Sequence, residues 1–453
     1  MKILLVYPNS RDEVLGWGTL GAIAEPLALE YLGAALKPDG HQVRILDLRF
    51  HPQELDDTLR TFAPDVVGVT GFSMHVLRGL AICRRAKEVC PSCLTIAGGH
   101  HATLLPEDFF EEQMDFVVSG EGTVPMRELV ARLEAGRPVH DIPGLWSRRD
   151  GKFLSGGIQP ELDLDTLVLP DRTLTERDRQ HYFIDWMKPV ALMRSTVGCP
   201  YRCNFCSLWK IMDGRYLKAD VDRVVEDVRG VREEFVFLVD DEAFIDGPRM
   251  LRLAKALKDA GQHKRYFAYC RIDTLLREHD IMTAWREVGL ERLFIGIEAY
   301  SPQGLADFNK KCSVAQVEAG LQAARELGLK VMAQFIVRPD FSKRDFQHLV
   351  RFIEHHKIEY PSFTILTPLP GTEALTTFDS VLERQPNGRP NWDLWDCQNV
   401  VVETRLPREQ FWKEYHNLFG VFNGAYAPYR SNAPSIGTGS NRVPARLARV
   451  ALM

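Results

Sequence analysis

Apolar positions along the first 135 residues follow two alternating rhythms. Residues 2–7, 42–46, 66–70, 94–97 and 116–119 are near-continuous apolar runs and predict strands. Between them, 26–36, 52–62 and 77–89 carry helical periodicity; Leu29, Leu32 and Leu36 recur at three- and four-residue steps and share one face. Apolar strands alternating with helices predict a parallel sheet covered on both sides. The order suits a doubly wound, five-stranded sheet of flavodoxin or Rossmann type. Its strands end in glycine: Gly71, then Gly98 and Gly99, then Gly120 and Gly122. Such sheets bind ligands at the carboxyl ends of their strands, although each glycine alone also suits a tight turn.

Residues 138–188 are punctuated by Pro138, Pro143, Gly156, Gly157, Pro160 and Pro170, and predict a connector. A second alternating series follows. Strands are predicted at 190–196, 234–239, 266–271, 293–297, 331–337 and 362–366, with helices near 220–230, 249–260, 275–288, 313–328 and 343–356. Polar residues close these strands: Asp240, Asp241 and Glu242, then Asp273, Glu298 and Arg338. Six such units predict a partial (β/α)6, TIM-like barrel over 189–372, with its chemistry at that rim. Beyond 373 the alternation stops. Phe411, Trp412, Tyr415, Phe419, Phe422, Tyr426 and Tyr429 predict an aromatic helical face in a mainly helical C-terminal region, as core or as a substrate-side cap. The tail 443–453 reads as weakly docked, with a membrane-surface helix as the alternative.

Composition narrows the classes. With 453 residues the chain has room for about three domains. Lys plus Arg number 56 against 61 Asp plus Glu, a net charge of −5, which gives no sign of nucleic-acid binding. The 45% hydrophobic content excludes a disordered chain. No apolar run is long enough to span a bilayer, and the apolar start is too short for a signal peptide. Nine cysteines without an export signal predict a cytoplasmic protein with metal or redox chemistry rather than a disulfide framework. Cys90 and Cys93 form a C-x2-C pair at a helix-to-strand turn and read as structural. No pair of carboxylates stands out as a general acid and base.

The informative cluster is Cys199, Cys203 and Cys206, at C-x3-C-x2-C spacing on one loop. Three thiolates can hold three irons of a 4Fe-4S cluster and leave the fourth open to a small molecule. Structural zinc needs a fourth ligand, and the next cysteine is Cys270.

With Phe205 before its last cysteine, this motif resembles the signature of the radical S-adenosylmethionine enzymes. The resemblance implies that Cys199, Cys203 and Cys206 ligate the cluster, and that Phe205, Asp240, Asp241, Glu242, Arg271, Asp273 and Glu298 bind S-adenosylmethionine. Asp240-Asp241-Glu242 stands where the family usually has Gly-Gly-Glu. The glycine-edged sheet before the barrel is similar to the cobalamin-binding branch. It implies cobalamin contacts from Gly71, Gly98, Gly99, His100, Ser119, Gly120, Glu121 and Gly122 within domain 1–137. The loop at 9–16 lacks the histidine that ligates cobalt in many cobalamin proteins; His75 reads as a surface or pocket residue, and His100 and His101 as loop lining. The implied reaction is methylation of an unactivated carbon through a 5′-deoxyadenosyl radical and methylcobalamin, on the pattern of methylases of polycyclic lipids. A ring-forming reaction with the same cofactors and a non-enzymatic sensor are the alternatives. The implied partners are a small-molecule substrate of apolar or lipid-like character and an electron donor such as flavodoxin or ferredoxin, with peripheral membrane contact open.

Overall fold

The computed structural model describes residues 1–9, 21–375 and 379–422. In the N-terminal half β1 (Lys2–Tyr7), β2 (Ala22–Ile23), α1 (Leu27–Leu36), β3 (Gln42–Asp47), α2 (Leu55–Phe62) and β4 (Val66–Thr70) come first. Then follow α3 (Val76–Val89), β5 (Leu94–Gly98), α4 (His100–Leu104), β6 (Phe116–Val118) and α5 (Thr123–Glu134). The sheet order is β3-β1-β4-β5-β6, all parallel, the flavodoxin-type winding. β1 is central and buried on both faces. Leu4 and Val6 pack under one helical layer, Ile3 and Leu5 under the other, which is why its sequence is apolar without alternation.

The expected boundary at 137 falls too early. β7 (Leu145–Arg149) and β8 (Lys152–Ser155) of the presumed connector extend the sheet as an antiparallel hairpin beside β6. Leu145 and Ser147 point inward and Trp146 and Arg148 do not. That alternation is too short to read among prolines and glycines.

The second half holds β9 (Phe183–Ile184), β10 (Val190–Met193), β11 (Thr196–Val197), α6 (Leu208–Ile211), β12 (Leu217–Lys218), α7 (Val221–Gly230) and β13 (Phe235–Leu238). It continues with α8 (Gly247–Asp259), β14 (Arg265–Tyr269), α9 (Ile272–Arg277), α10 (His279–Glu287), β15 (Leu290–Glu298), α11 (Pro302–Asp307) and α12 (Val314–Glu326). Last come β16 (Lys330–Val337), α13 (Lys343–His355), β17 (Tyr360–Ile365) and α14 (Arg408–Phe422). Strands β10-β13-β14-β15-β16-β17 form one parallel sheet in chain order, the expected six-unit partial barrel. Successive side chains face opposite ways. Ala191, Met193, Val236 and Leu238 pack under the helices, whereas Leu192, Phe235, Phe237 and Phe267 face inward. The inward set is stoppered by Ile23, Leu27 and Tyr31 from the first half and by Tyr182, Phe183 and Met187 just before the barrel.

Buried ions lock the halves together. Arg179 donates to Glu25 at 2.8 Å and to Glu233 at 2.6 Å. Arg172 donates to Asp227 at 2.5 Å and to the Leu192 carbonyl at 2.7 Å. The Leu192 amide donates to Glu25 at 2.5 Å, and the Thr175 hydroxyl to Glu30 at 2.5 Å. Burial, then the charge of Glu25, pushes the Glu30 carboxyl up to about 8. Buried charges are tolerated only when paired in this way.

The C-terminal expectation needs correction. Residues 379–402 are mostly irregular, with antiparallel bridges Val381–Val402 and Arg384–Pro390 and one 3-10 turn, Trp392–Leu394. They strap onto the first domain: Val381, Trp392, Leu394, Trp395 and Val401 join its core. Phe411, Tyr415 and Leu418 of α14 bury against the outer, helix-covered layer of the barrel. The aromatic face is therefore core, packed away from the barrel interior. Tyr426, Tyr429 and the tail 443–453 lie outside the described residues. Among the described residues no helix is long and apolar enough to cross a membrane.

Candidate active site

The three cysteines ride a loop pinched shut at its base. β11 and β12 pair antiparallel on either side of it, Thr196 with Lys218 and Val197 with Leu217. Gly198 opens the loop at φ +91°, where a Cβ would lie 2.1 Å from the Arg215 carbonyl oxygen. Only glycine fits that crossing. The carboxylates at the end of β13 hold the same stem. Asp240 is fully buried and accepts from the Ser195 amide (2.6 Å), the Thr196 amide (2.8 Å) and the Ser195 hydroxyl (2.6 Å). Asp241 accepts from the Gly198 amide at 2.7 Å. Within the loop, the Cys206 amide and the Trp209 indole both donate to the Cys203 carbonyl at 3.2 Å. Burial pushes the Cys199 thiol up to about 11 and Cys206 up to about 12. A metal group must therefore displace protons to bind them. Three soft thiol donors on one short, internally bonded loop suit an iron–sulfur cluster.

The next strand ends wall this loop. Arg271, which is buried, donates to Asp273 at 2.9 Å and to the Lys310 carbonyl at 2.7 Å, and its guanidinium lies 3.8 Å from the Cys203 sulfur. Glu242 is fully buried. The Arg271 backbone and the Thr274 hydroxyl turn toward its carboxylate without closing bonds of normal geometry, and burial pushes it up to about 8. Glu298 sits at φ +68°, a strained region for a residue with a Cβ, where β15 shifts register against β16. One of its oxygens takes the buried Lys310 ammonium at 3.0 Å, and the other is buried without a partner. Gly296 makes this possible. A Cβ there would come 2.1 Å from the Glu298 carboxylate and 2.9 Å from the Lys310 nitrogen.

A clasp around residues 307–310 completes the wall. Asn204 donates to the Asp307 carbonyl at 2.5 Å, and Asn309 to the Arg202 carbonyl at 2.7 Å. The Phe205 ring meets Phe308 edge-on at 5.2 Å. Cys203, Phe205, Arg271, Asp273, Glu298 and Lys310 are thus one cluster. Asp240 has both carboxylate oxygens bonded within the loop stem, and the half-buried Phe205 forms part of the clasp. Lys310, Asn204 and Asn309 were not predicted. Lys310 and Asn309 stand in a turn without glycine, where Asn309 and Lys311 take left-handed φ of +50° and +55°, and Asn204 lies in the cysteine loop itself.

The glycine-rich edge of the first domain is built mainly from backbone. Gly99, at φ +101°, lies where a Cβ would come 2.8 Å from the Gly71 carbonyl oxygen, so the two strand ends touch. The Ser119 hydroxyl donates to the Ala102 carbonyl at 3.0 Å and accepts from Trp146 at 3.2 Å. Glu121 caps the following helix through the Thr123 amide (2.8 Å) and hydroxyl (2.6 Å). Gln159, another unpredicted residue, laces the Ser119 and Glu121 carbonyls at 3.0 and 2.8 Å. The Ser119 hydroxyl and one Glu121 oxygen are therefore spent internally. At this edge Gly71 makes room for His75 (a Cβ would lie 2.6 Å from it) and Gly120 for Gln159 (2.9 Å), Gly98 is open to 3.8 Å, and His100 is exposed, 4.7 Å from the Phe72 ring. Gly122 packs against Leu32. His101 does not line the loop: it is buried between Ser73 (2.9 Å) and Asp108 (2.8 Å) under the Trp392 ring. His75 is also buried, edge-on to Tyr7 at 5.5 Å. Most of the 9–16 loop lies outside the described residues.

The two edges meet. Gly371, at φ +79° in Thr367-Pro-Leu-Pro-Gly371, sits where a Cβ would be 3.1 Å from Leu104 of α4 and 3.5 Å from Lys210 of α6. The glycine-rich edge and the cysteine loop thus share one border, with Gly371 as the spacer.

Comparison with known proteins agrees with this division. A B12-binding domain model matches residues 15–130, and a radical SAM superfamily model matches 193–353. The hopanoid C-3 methylase of Methylococcus capsulatus is 31% identical over 423 residues, covering 91% of this chain and 78% of the relative. The anaerobic magnesium-protoporphyrin IX monomethyl ester cyclase of Rubrivivax gelatinosus is 27% identical over 74% of this chain and 62% of that protein. The radical S-adenosylmethionine methyltransferase TsrM of Kitasatospora setae, solved with cobalamin and a [4Fe-4S] cluster, has the same fold. Its TM-score is 0.69 at 18% identity, covering 86% of this chain and 82% of that one.

Proposed function

The chain belongs to the cobalamin-binding radical S-adenosylmethionine enzymes, and from that premise we propose that it methylates an unactivated carbon of a small molecule. The observation that carries this reading is the shared border at Gly371, where the glycine-rich edge and the cysteine loop adjoin. A transfer that needs both cofactors on one substrate requires that proximity. Bound together, the iron–sulfur cluster, S-adenosylmethionine and cobalamin supply a 5′-deoxyadenosyl radical and a transferable methyl group.

The chain's own residues divide the work. Cys199, Cys203 and Cys206 hold the cluster. Asp240 and Asp241 fix the stem of that loop, and Asp241 keeps one oxygen without a bond among the described residues to receive the methionyl ammonium. Glu298 is the ribose-side carboxylate, with its buried, unpartnered oxygen as the acceptor. Gly71, Gly98, Gly99 and Gly120 form the cobalamin-side edge: Gly98 is the open point of backbone approach, the other three let the strand ends pack closely, and His100 stands beside them. Phe237, Tyr269 and Phe294 pack together on the inward face of the barrel. They exclude water from a radical and suit an apolar substrate. An electron donor of flavodoxin or ferredoxin type and a cytoplasmic setting complete the reading.

A second reading, ring formation without methyl transfer, is favoured by the similarity to the monomethyl ester cyclase. Reduced, fully loaded enzyme incubated with methyl-labelled S-adenosylmethionine and candidate apolar substrates separates the two. Label in the product supports methylation. Turnover to an unlabelled product selects ring formation.

A further inference from the structure

Arg271 stands where the family resemblance expects a contact to S-adenosylmethionine, yet its guanidinium is committed elsewhere. Every nitrogen has an assigned neighbour. Nε donates to Asp273 at 2.9 Å, Nη2 to the Lys310 carbonyl at 2.7 Å, and Nη1 lies 3.8 Å from the Cys203 sulfur. The guanidinium also lies over the Tyr201 ring, 3.8 Å from its centroid. The side chain is buried, and so is Cys203. A buried fork held on three sides cannot swing to a ligand without breaking the clasp that closes the cysteine loop.

The geometry points to Arg271 as the positioning residue that tunes the cluster: it donates an N–H···S hydrogen bond to the Cys203 thiolate and favours the reduced cluster. Reduction potentials of such clusters depend on net charge, burial and hydrogen bonds to sulfur. Asp273 accepts from Nε at 2.9 Å and from Nη2 at 3.4 Å, so the N–H turned to the sulfur is that of Nη1, away from the carboxylate. A reduced cluster carries one more negative charge, and that edge stabilises it in a site with little water to screen it. Lys310 supports the arrangement through its carbonyl while Glu298 takes its ammonium at 3.0 Å. The inference rests on reading Cys199, Cys203 and Cys206 as the cluster ligands.

The test is an EPR-monitored redox titration of anaerobically reconstituted protein, with iron and sulfide content measured first. A parent protein without a cluster would sink the cysteine assignment itself, a result distinct from any shift among variants. Arg271→Gln removes the charge and keeps an amide N–H. Its ratio of reduced to oxidised cluster at a fixed poise is expected to fall about tenfold, which is 59 mV toward negative potential for a one-electron couple. Arg271→Lys is expected between it and the parent. Asn309→Ala, which loosens the same clasp without changing charge, is expected to keep the parent potential. A loaded Arg271→Gln protein with the parent's potential overturns the proposal. So does a shift as large in Asn309→Ala, or a failure of both Arg271 variants to hold a cluster, since either outcome makes Arg271 a purely structural support.

Discussion

Asp240 discriminates most sharply between what the motif resemblance implies and what the fold does. Its carboxylate accepts three hydrogen bonds at 2.6–2.8 Å, all from Ser195 and Thr196, at a site without solvent. Each bond to a charged acceptor is worth about 1.5–3 kcal/mol, and the three are not additive. Asp240→Ala orphans two buried amides and a hydroxyl, at about 1–3 kcal/mol each and not additively, so it is expected to lose about 3–5 kcal/mol and to drop its bound iron. Asp240→Asn keeps an oxygen for both amides and is expected to lose only about 1 kcal/mol. The assay is chemical denaturation of the apoprotein, followed by iron content and S-adenosylmethionine affinity after reconstitution. If Asp240 instead bound the methionyl ammonium, Asp240→Asn would weaken S-adenosylmethionine binding sharply and leave apoprotein stability untouched. That result would refute the stem assignment.

Three further outcomes are expected. Gly296→Ala should place its methyl against the Glu298–Lys310 pair, and isothermal titration should show weakened S-adenosylmethionine binding with normal iron content. Gly371→Leu should pry α4 from α6, leaving cluster and cobalamin contents intact while methyl transfer falls at least about tenfold, since misplacement of reacting groups by about 1 Å costs more than that. For Glu30, the folded value of about 8 lies above its ordinary 4.5, so its favourable contribution is complete below pH 4.5 and is lost as pH rises to 8. Glu30→Gln should therefore flatten the fall in stability over that window, as denaturation midpoints measured from pH 5 to 8 would show.

The strand–helix alternation, the six-unit barrel and the cysteine loop were legible because each leaves a local trace: apolar periodicity, or thiols at fixed spacing. The Asp240-Asp241-Glu242 run was legible as a strand end but not in its division of labour. Whether a carboxylate holds a loop or faces a ligand depends on which amides the fold turns toward it. Ser195 and Gly198 come from a different strand end. Lys310 and Gln159 left no trace, since both act across tertiary contacts from irregular segments. His101 was misread because its cover, Trp392, lies 291 positions along the chain. The β7–β8 hairpin was hidden by the brevity of its alternation, and the aromatic face of α14 by the ambiguity of any apolar stripe between core and pocket.

The central claim is that one chain couples the cysteine loop to S-adenosylmethionine cleavage beside a cobalamin edge. Chromatographic detection of 5′-deoxyadenosine from reduced protein loaded with iron, sulfide and hydroxocobalamin tests it most directly. The account predicts 5′-deoxyadenosine from the parent and none from Cys203→Ala. A parent protein that carries both cofactors and S-adenosylmethionine yet forms none on reduction, or a Cys203→Ala variant that forms as much as the parent, would contradict it.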